Sequence, residues 1–241
     1  MKAPAPNLFL KSRNPISGKF STFMTTRKSQ PAENFLFADV AQPLAFAEQL
    51  AVPANDSLAE IQHDLQHSHT CGVCQPGMPI VFGVGPVPTA LMLIGEGPGL
   101  DDIEAQQPFC GQAGVLLNRM LAAINQARAG VYICNVIKCV PPGERHFSVE
   151  EIEDCRPILL RQILVVQPKI ILAFGALAAQ TLLRSKKTIS ELRGQPFRYQ
   201  LNDLEATLIP TFNPAYLLRV AEKKREAWED LKLVRDILTR E

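Results

Sequence analysis

Apolar runs of five to eight residues recur through the second part of the chain, several of them closed by glycine or proline. Ala90–Glu96 (ALMLIGE), Val131–Lys138 (VYICNVIK), Lys169–Gly175 (KIILAFG) and Ala206–Thr211 (ATLIPT) each read as a buried strand. Between them, apolar residues return at helical spacing over Gln112–Ala129, Ser148–Gln167, Ala176–Arg184 and Ala221–Thr239. Ser148 with Glu151 three residues later is a capping-box signature, and Pro157 further along predicts a kink in that helix. Strands that are apolar on both faces and alternate with helices imply an α/β fold. The expected form is a three-layer α/β/α arrangement around a central, mostly parallel four-stranded sheet.

The part before Thr70 differs. Its first 30 residues carry six basic residues, no acids, and repeated Pro and Ser. No apolar core followed by a small-residue cleavage site is visible, so a secretory signal is not expected. Residues 1–56 are expected to form a basic, flexible extension and residues 57–241 the folded domain. Short amphipathic helices are expected at Glu33–Val52 and Ser57–Gln66.

Composition narrows the function classes. Of 241 residues 46% are hydrophobic, and no run of about 18 uncharged apolar residues occurs, which excludes a membrane-spanning helix. The formal net charge is +1, so a nucleic-acid ligand would need a local basic patch rather than a globally basic surface. Six cysteines are too few for a disulfide scaffold in a chain this long, and all six lie between Cys71 and Cys155. That clustering favours a metal or redox site in a reducing, cytoplasmic compartment.

In parallel sheets ligands bind beyond the carboxyl ends of the strands, and the unusual residues of this chain gather there. Cys71-x2-Cys74 is followed after 64 residues by Cys139 and after 15 more by Cys155. Four thiolates brought together suit tetrahedral zinc or an iron–sulfur cluster. A rival zinc site would use His63, His67, His69, Cys71 and Cys74. The segment GEGPG (95–99), with PFCG (108–111), brings backbone close to a ligand, although the same letters also make a plain strand-to-helix turn. Glu96 within it is a carboxylate in apolar surroundings, suited to base or cation-stabilising work. Asn135, in an apolar strand, carries donors and an acceptor able to read a nucleobase edge, or else is satisfied by nearby backbone. Residues 211–219 (TFNPAYLLR) combine a polar strand end, proline, an apolar stretch and Arg219, which fits either a wedging loop or a simple connection.

Together these motifs resemble the family 4 iron–sulfur uracil-DNA glycosylases. The likeness runs from about Ser57 to the C-terminus through CxxC, GEGPG, PFCGQAGVLL, CNVIKCVPP, the cysteine 15 residues later, PKIILAFG, RGQPF and PAYLLR. It implies removal of uracil from DNA by hydrolysis of the N-glycosidic bond, in base-excision repair. It also implies a structural [4Fe–4S] cluster on Cys71, Cys74, Cys139 and Cys155. Uracil would be flipped out of the stack, bound by Gly95, Gly97, Phe109 and Asn135, and cleaved with Glu96 and Asn213. Arg184, Lys186, Lys187, Arg193 and Arg219 would contact DNA, with Leu217 as the wedge. The partner is uracil-containing DNA, and a monomer is expected.

Two positions depart from the family pattern. Asn213-Pro214 stands where His-Pro is usual, as in the related mismatch-specific glycosylases, and Gly143-Glu144-Arg145-His146 stands where Asn-Arg is usual. His146 lies where a subgroup carries a uracil-trapping histidine, but that subgroup's insert is absent. The competing expectation is a catalytically weakened member that binds DNA or a partner protein.

Overall fold

The structure, a computed structural model, describes residues 44–53, 56–67, 77–140 and 145–240. Six strands form one sheet: β1 (Leu44–Glu48), β2 (Leu91–Gly95), β3 (Tyr132–Asn135), β4 (Ile170–Phe174), β5 (Phe197–Leu201) and β6 (Leu204–Thr211), in the order β1-β5-β6-β4-β2-β3. Every neighbouring pair is parallel except the β5–β6 hairpin, so the sheet is mixed and mostly parallel, and helices flank it. The four expected strands are all present. The sheet gains β5 and β1, because Arg198 and Gln200 interrupt the apolar pattern of FRYQL and make it unlike the central runs.

Eight helices connect these strands among the described residues: α1 (Leu58–His67), α2 (Leu100–Ala105), α3 (Gly111–Ala123), α4 (Val149–Val166), α5 (Ala176–Leu183), α6 (Ile189–Leu192), α7 (Pro214–Arg219) and α8 (Lys224–Leu238). Helix α4 starts as the sequence indicates, with Ser148 Oγ accepting from Glu151 N and the Glu151 carboxylate accepting from Ser148 N. It runs unbroken through Pro157 to Val166. Helix α3 ends at Ala123 rather than Ala129, and a short 3-10 turn at Arg128–Gly130 leads into β3.

The expected helix over Glu33–Val52 is replaced, in its described part, by strand β1. Residues 33–43 lie outside the described residues. Beside the pairing of β1 with β5, side-chain contacts join the segment around β1 to the rest of the fold. Glu48 forms a bidentate ion pair with the buried Arg156 of α4. Asn202, in the β5–β6 turn, accepts from Leu50 N and donates to Leu50 O. Asp56 pairs with Arg161 at 2.7 Å. Among the described residues, strand β1 and these contacts lie before residue 57.

Buried apolar residues from β2, β3, β4 and β6 pack with α4 and α5 in the main core. At its centre Gln162 donates from Nε2 to Phe82 O (3.0 Å) and the Tyr132 hydroxyl (3.1 Å). Burial pushes the Tyr132 phenol well above the usual tyrosine range. The ammonium of Lys138, fully buried, donates to Gln162 Oε1 at 2.6 Å and to the main-chain carbonyl of Asn135 at 2.5 Å. These polar groups are satisfied inside the core, and they fix the carboxyl end of β3.

Candidate active site

Parallel β2, β3, β4 and β6 all end at the same edge of the sheet. There Gly95 stands in register with Asn135, Gly175 follows β4, and Thr211 closes β6. A cleft of about 680 Å³ opens over these ends, and its walls include Glu96, Gly97, Phe109, Asn135, Phe147 and Asn213.

Glu96 is held from below. Its Oε1 accepts from Leu177 N at 3.0 Å, in the first turn of α5, where helix N-terminal amides favour a negative charge. Its Oε2 lies 3.4 Å from Asn213 Nδ2. Gly175, at φ +92°, leaves room for this carboxylate: a Cβ there would come within 2.6 Å of Glu96 Oε1. The site thus holds a partly exposed carboxylate with one oxygen anchored and the other facing the cleft.

Asn135 is 1% exposed, and its Nδ2 is buried with no hydrogen-bond partner among the described residues. A buried amide donor left unmatched costs about 1–3 kcal/mol, so this position needs a reason. Gly95 lies against it. A Cβ on Gly95 would come 2.2 Å from Asn135 Oδ1 and 2.6 Å from the Phe109 ring. The glycine is therefore the floor on which the amide and the ring meet.

Phe109 is buried, and its ring meets that of Phe174 edge-on at 5.6 Å. Its backbone has φ +55°, an uncommon and strained conformation for a bulky side chain. Three neighbours hold it. Asp102 Oδ1 accepts from Cys110 N at 2.6 Å, Arg128 donates to Pro108 O at 2.6 Å, and Gly114 lacks the Cβ that would strike Phe109 O. The other Asp102 oxygen accepts from Gly99 N, so one buried carboxylate ties GEGPG to PFCG. On the opposite wall Phe147 packs onto Gly97, where a Cβ would lie 2.5 Å from the ring. Asp102, Arg128 and Phe147 stand at what read as ordinary loop and helix positions, with no motif to mark them.

Asn213 is the N-cap of α7: its Oδ1 accepts from Ala215 N at 2.9 Å, which turns the amide N–H groups toward Glu96. The loop is braced from behind. Asp230 of α8, fully buried, accepts from Thr211 Oγ1 at 2.7 Å and from Arg193 Nε and Nη2 at 2.9 and 2.7 Å. Burial raises the Asp230 carboxyl above its ordinary pKa, against the lowering effect of Arg193 and Thr211. The Arg193 guanidinium also lies 5.4 Å from the centre of the Phe212 ring.

Several expected DNA contacts are placed differently. Arg193 is 13% exposed in its side chain and pairs with Asp230 and Glu226. Arg184 pairs with Glu153 on the surface. Lys186 and Lys187 are exposed but do not line the cleft, whereas Arg219 does. Leu217, expected as the wedge, is 1% exposed and faces inward; its neighbour Leu218 is 44% exposed. The phase of helix α7 makes that choice.

Cys139 and Cys155 are fully buried and belong to the same core cluster. Cys71 and Cys74 lie outside the described residues, as do His69 and Glu144. His63 and His67 stack at 4.3 Å on the exposed face of α1, and no group of three or more metal-ligating side chains forms among the described residues. His146 is exposed and is not part of the cleft wall.

An α/β sheet with a carboxylate, a buried unmatched amide and an aromatic ring at its carboxyl edge agrees with the comparisons of sequence. The chain belongs to the uracil DNA glycosylase superfamily, whose model matches residues 82–232. Within it the similar proteins are type-4 uracil-DNA glycosylases. That of Thermotoga maritima is 38% identical over 165 residues, covering 67% of this chain and 84% of the relative. That of Archaeoglobus fulgidus is 32% identical over 186 residues, covering 76% and 94%. That of Pyrobaculum aerophilum is 34% identical over 157 residues, covering 64% and 80%.

Proposed function

We propose that the chain is a hydrolytic uracil-DNA glycosylase of base-excision repair, in which Asn135 reads the base while Glu96 and Asn213 assist cleavage. The observation that carries this reading is the buried, unmatched Nδ2 of Asn135 beside the Phe109 ring. A uracil stacked on Phe109 gives that donor its acceptor, O4, while Oδ1 accepts from N3–H. Cytosine offers an amino group where uracil has O4, so the same amide mismatches it.

Cleavage breaks the N1–C1′ bond, whose electron pair leaves on uracil, and water adds to C1′ with loss of a proton. Positive charge develops on the sugar and negative charge on the departing base. Glu96 Oε2 faces the cleft and stabilises the former or orients the water. Asn213 has two amide N–H donors; one faces Glu96 and the second serves uracil O2. A neutral amide is a weaker anion stabiliser than a histidine able to carry charge. The base enters the cleft only after flipping, and the exposed Leu218, rather than the inward-facing Leu217, fills the space left in the stack. Arg219 neutralises an adjacent phosphate.

The donor set Cys71, Cys74, Cys139 and Cys155 fits a [4Fe–4S] cluster, since thiolates are its ordinary ligands and both described members are buried in one core. The cluster would supply iron–thiolate bonds that fasten α4 and the segment after β3 to the segment before β2, with no part in the cleavage.

The test is single-turnover excision from single- and double-stranded oligonucleotides containing one uracil. The wild type should leave abasic sites, and Glu96→Ala should lose most of that activity. Asn213→His should raise the rate about 10²-fold, the usual worth of one well-placed anion donor. Silence from the wild type and from Asn213→His alike, in iron-replete protein, would replace the enzyme by the DNA- or partner-binding alternative.

A further inference from the structure

A second, smaller groove of about 170 Å³ lies along α3 beyond the cleft. Its floor is Leu116, Met120 and Leu217, and the half-buried indole of Trp228 forms one side. Arg119 and Lys224 line it, both exposed, and neither has an ion-pair partner among the described residues. Several other cations of the fold are committed: Arg145, Arg156, Arg161, Arg184, Arg193 and Arg198 each hold a carboxylate.

The groove shares two elements with the cleft. Helix α3 gives Gln112 and Ala113 to the cleft and Leu116, Arg119 and Met120 to the groove. Helix α7 gives Asn213 and Arg219 to the cleft and Leu217 to the groove. From Ala113 to Arg119 the helix rises about 9 Å, which is about two to three nucleotides along a strand spaced about 3.4 Å per base. An aromatic face between two uncommitted cations is the chemistry that holds a single-stranded nucleotide: the base stacks and the backbone is neutralised.

We infer that this groove is a second nucleotide subsite, in which Trp228 stacks a base two or three positions from the flipped uracil and Arg119 and Lys224 hold its phosphates. The inference rests on the glycosylase reading of the neighbouring cleft. Charge decides for DNA over an apolar protein segment, since both rim cations sit beside a cleft whose substrate is a polyanion.

Trp228 is the single tryptophan of the chain, so its emission reports on this groove alone. The full protein would be titrated with a labelled single-stranded oligonucleotide carrying a tetrahydrofuran abasic site, following label anisotropy and tryptophan emission together. Emission should quench over the same concentrations at which anisotropy rises. Arg119→Gln and Lys224→Gln should each reduce the slope of log affinity against log salt by about 0.7. Trp228→Leu should weaken binding about tenfold, and Trp228→Phe should restore most of it; thermal melts of all four variants separate this from unfolding. Binding seen by anisotropy without quenching, or with unchanged salt slopes in both charge variants, overturns the subsite while leaving the glycosylase reading intact, and points to a protein segment as the occupant. A wild type that neither binds the oligonucleotide nor excises uracil overturns both.

Discussion

Placing one methyl group on Gly95 tests the geometry of the pocket floor. In Gly95→Ala the new Cβ would stand 2.2 Å from Asn135 Oδ1 and 2.6 and 2.8 Å from two carbons of the Phe109 ring. Ordinary contact needs about 3.4 Å, so the amide must retreat by about 1 Å and the ring must lift by nearly as much. Neither moves easily. Asn135 is tied through its carbonyl to Lys138, and Phe109 is held at positive φ by Asp102 and Arg128. Overpacking of this size costs about 1–3 kcal/mol of stability, which a domain of this size survives. A misplacement of about 1 Å at a reacting or reading group costs about 10² in rate. Gly95→Ala should therefore melt a few degrees below the wild type and excise uracil about a hundredfold more slowly. Single-turnover rates at saturating enzyme, beside thermal melts monitored by circular dichroism, give both quantities. A variant within threefold of wild-type rate would refute the claim that Gly95, Asn135 and Phe109 form one rigid floor.

Two further outcomes follow from groups outside the cleft. Asp230→Ala removes the partner of a mostly buried guanidinium and of Thr211, and breaking such a pair costs about 3–5 kcal/mol. If the pair also positions Asn213, then Arg193→Met should slow excision in the wild type yet add nothing in an Asn213→Ala background, whereas a purely structural role gives the same loss in both. At the start of α4, bonds from Arg145 and from Ser148 N hold the Glu151 carboxyl down at about 2, below its ordinary 4.5. A folded-state pKa below the unfolded one adds stability that is fully present above about pH 4.5 and is lost as pH falls toward about 2. Denaturant melts between pH 5 and pH 3 should therefore fall more steeply for the wild type than for Glu151→Gln, and equal slopes would contradict the pairing.

The central strands were legible because a parallel strand buried on both faces has to be an apolar run, and four such runs stand in the sequence. Glu96 and Asn135 were legible for the complementary reason, as polar residues at the ends of those runs. Strand β5 escaped because a half-buried strand of an antiparallel hairpin, next to the sheet edge, tolerates Arg198 and Gln200, and β1 because five residues of LAFAE fit a helix pattern equally well. The sequence pattern of PAYLLR did not reveal which leucine is exposed; the phase of α7 turns Leu217 inward and Leu218 outward. Arg193 read as part of a surface basic run because its partner, Asp230, lies 37 residues away and on another element. Asp102 and Arg128 support Phe109 through main-chain atoms, and no side-chain pattern in the sequence records such a contact.

The register of Gly95 with Asn135 has an evolutionary consequence. On the reading proposed above, the residue that recognises the base ends β3 and the carboxylate that attends the sugar directly follows β2, adjacent strands whose separation of about 4.8 Å is set by main-chain bonding and is nearly incompressible. The donor proposed for the leaving base, at Asn213, comes instead from the turn that follows a different strand, β6. Mutation can exchange that donor, or retune the turn, without disturbing the distance between recognition and attack. A lineage built this way is free to vary how forcefully it cuts while keeping what it cuts.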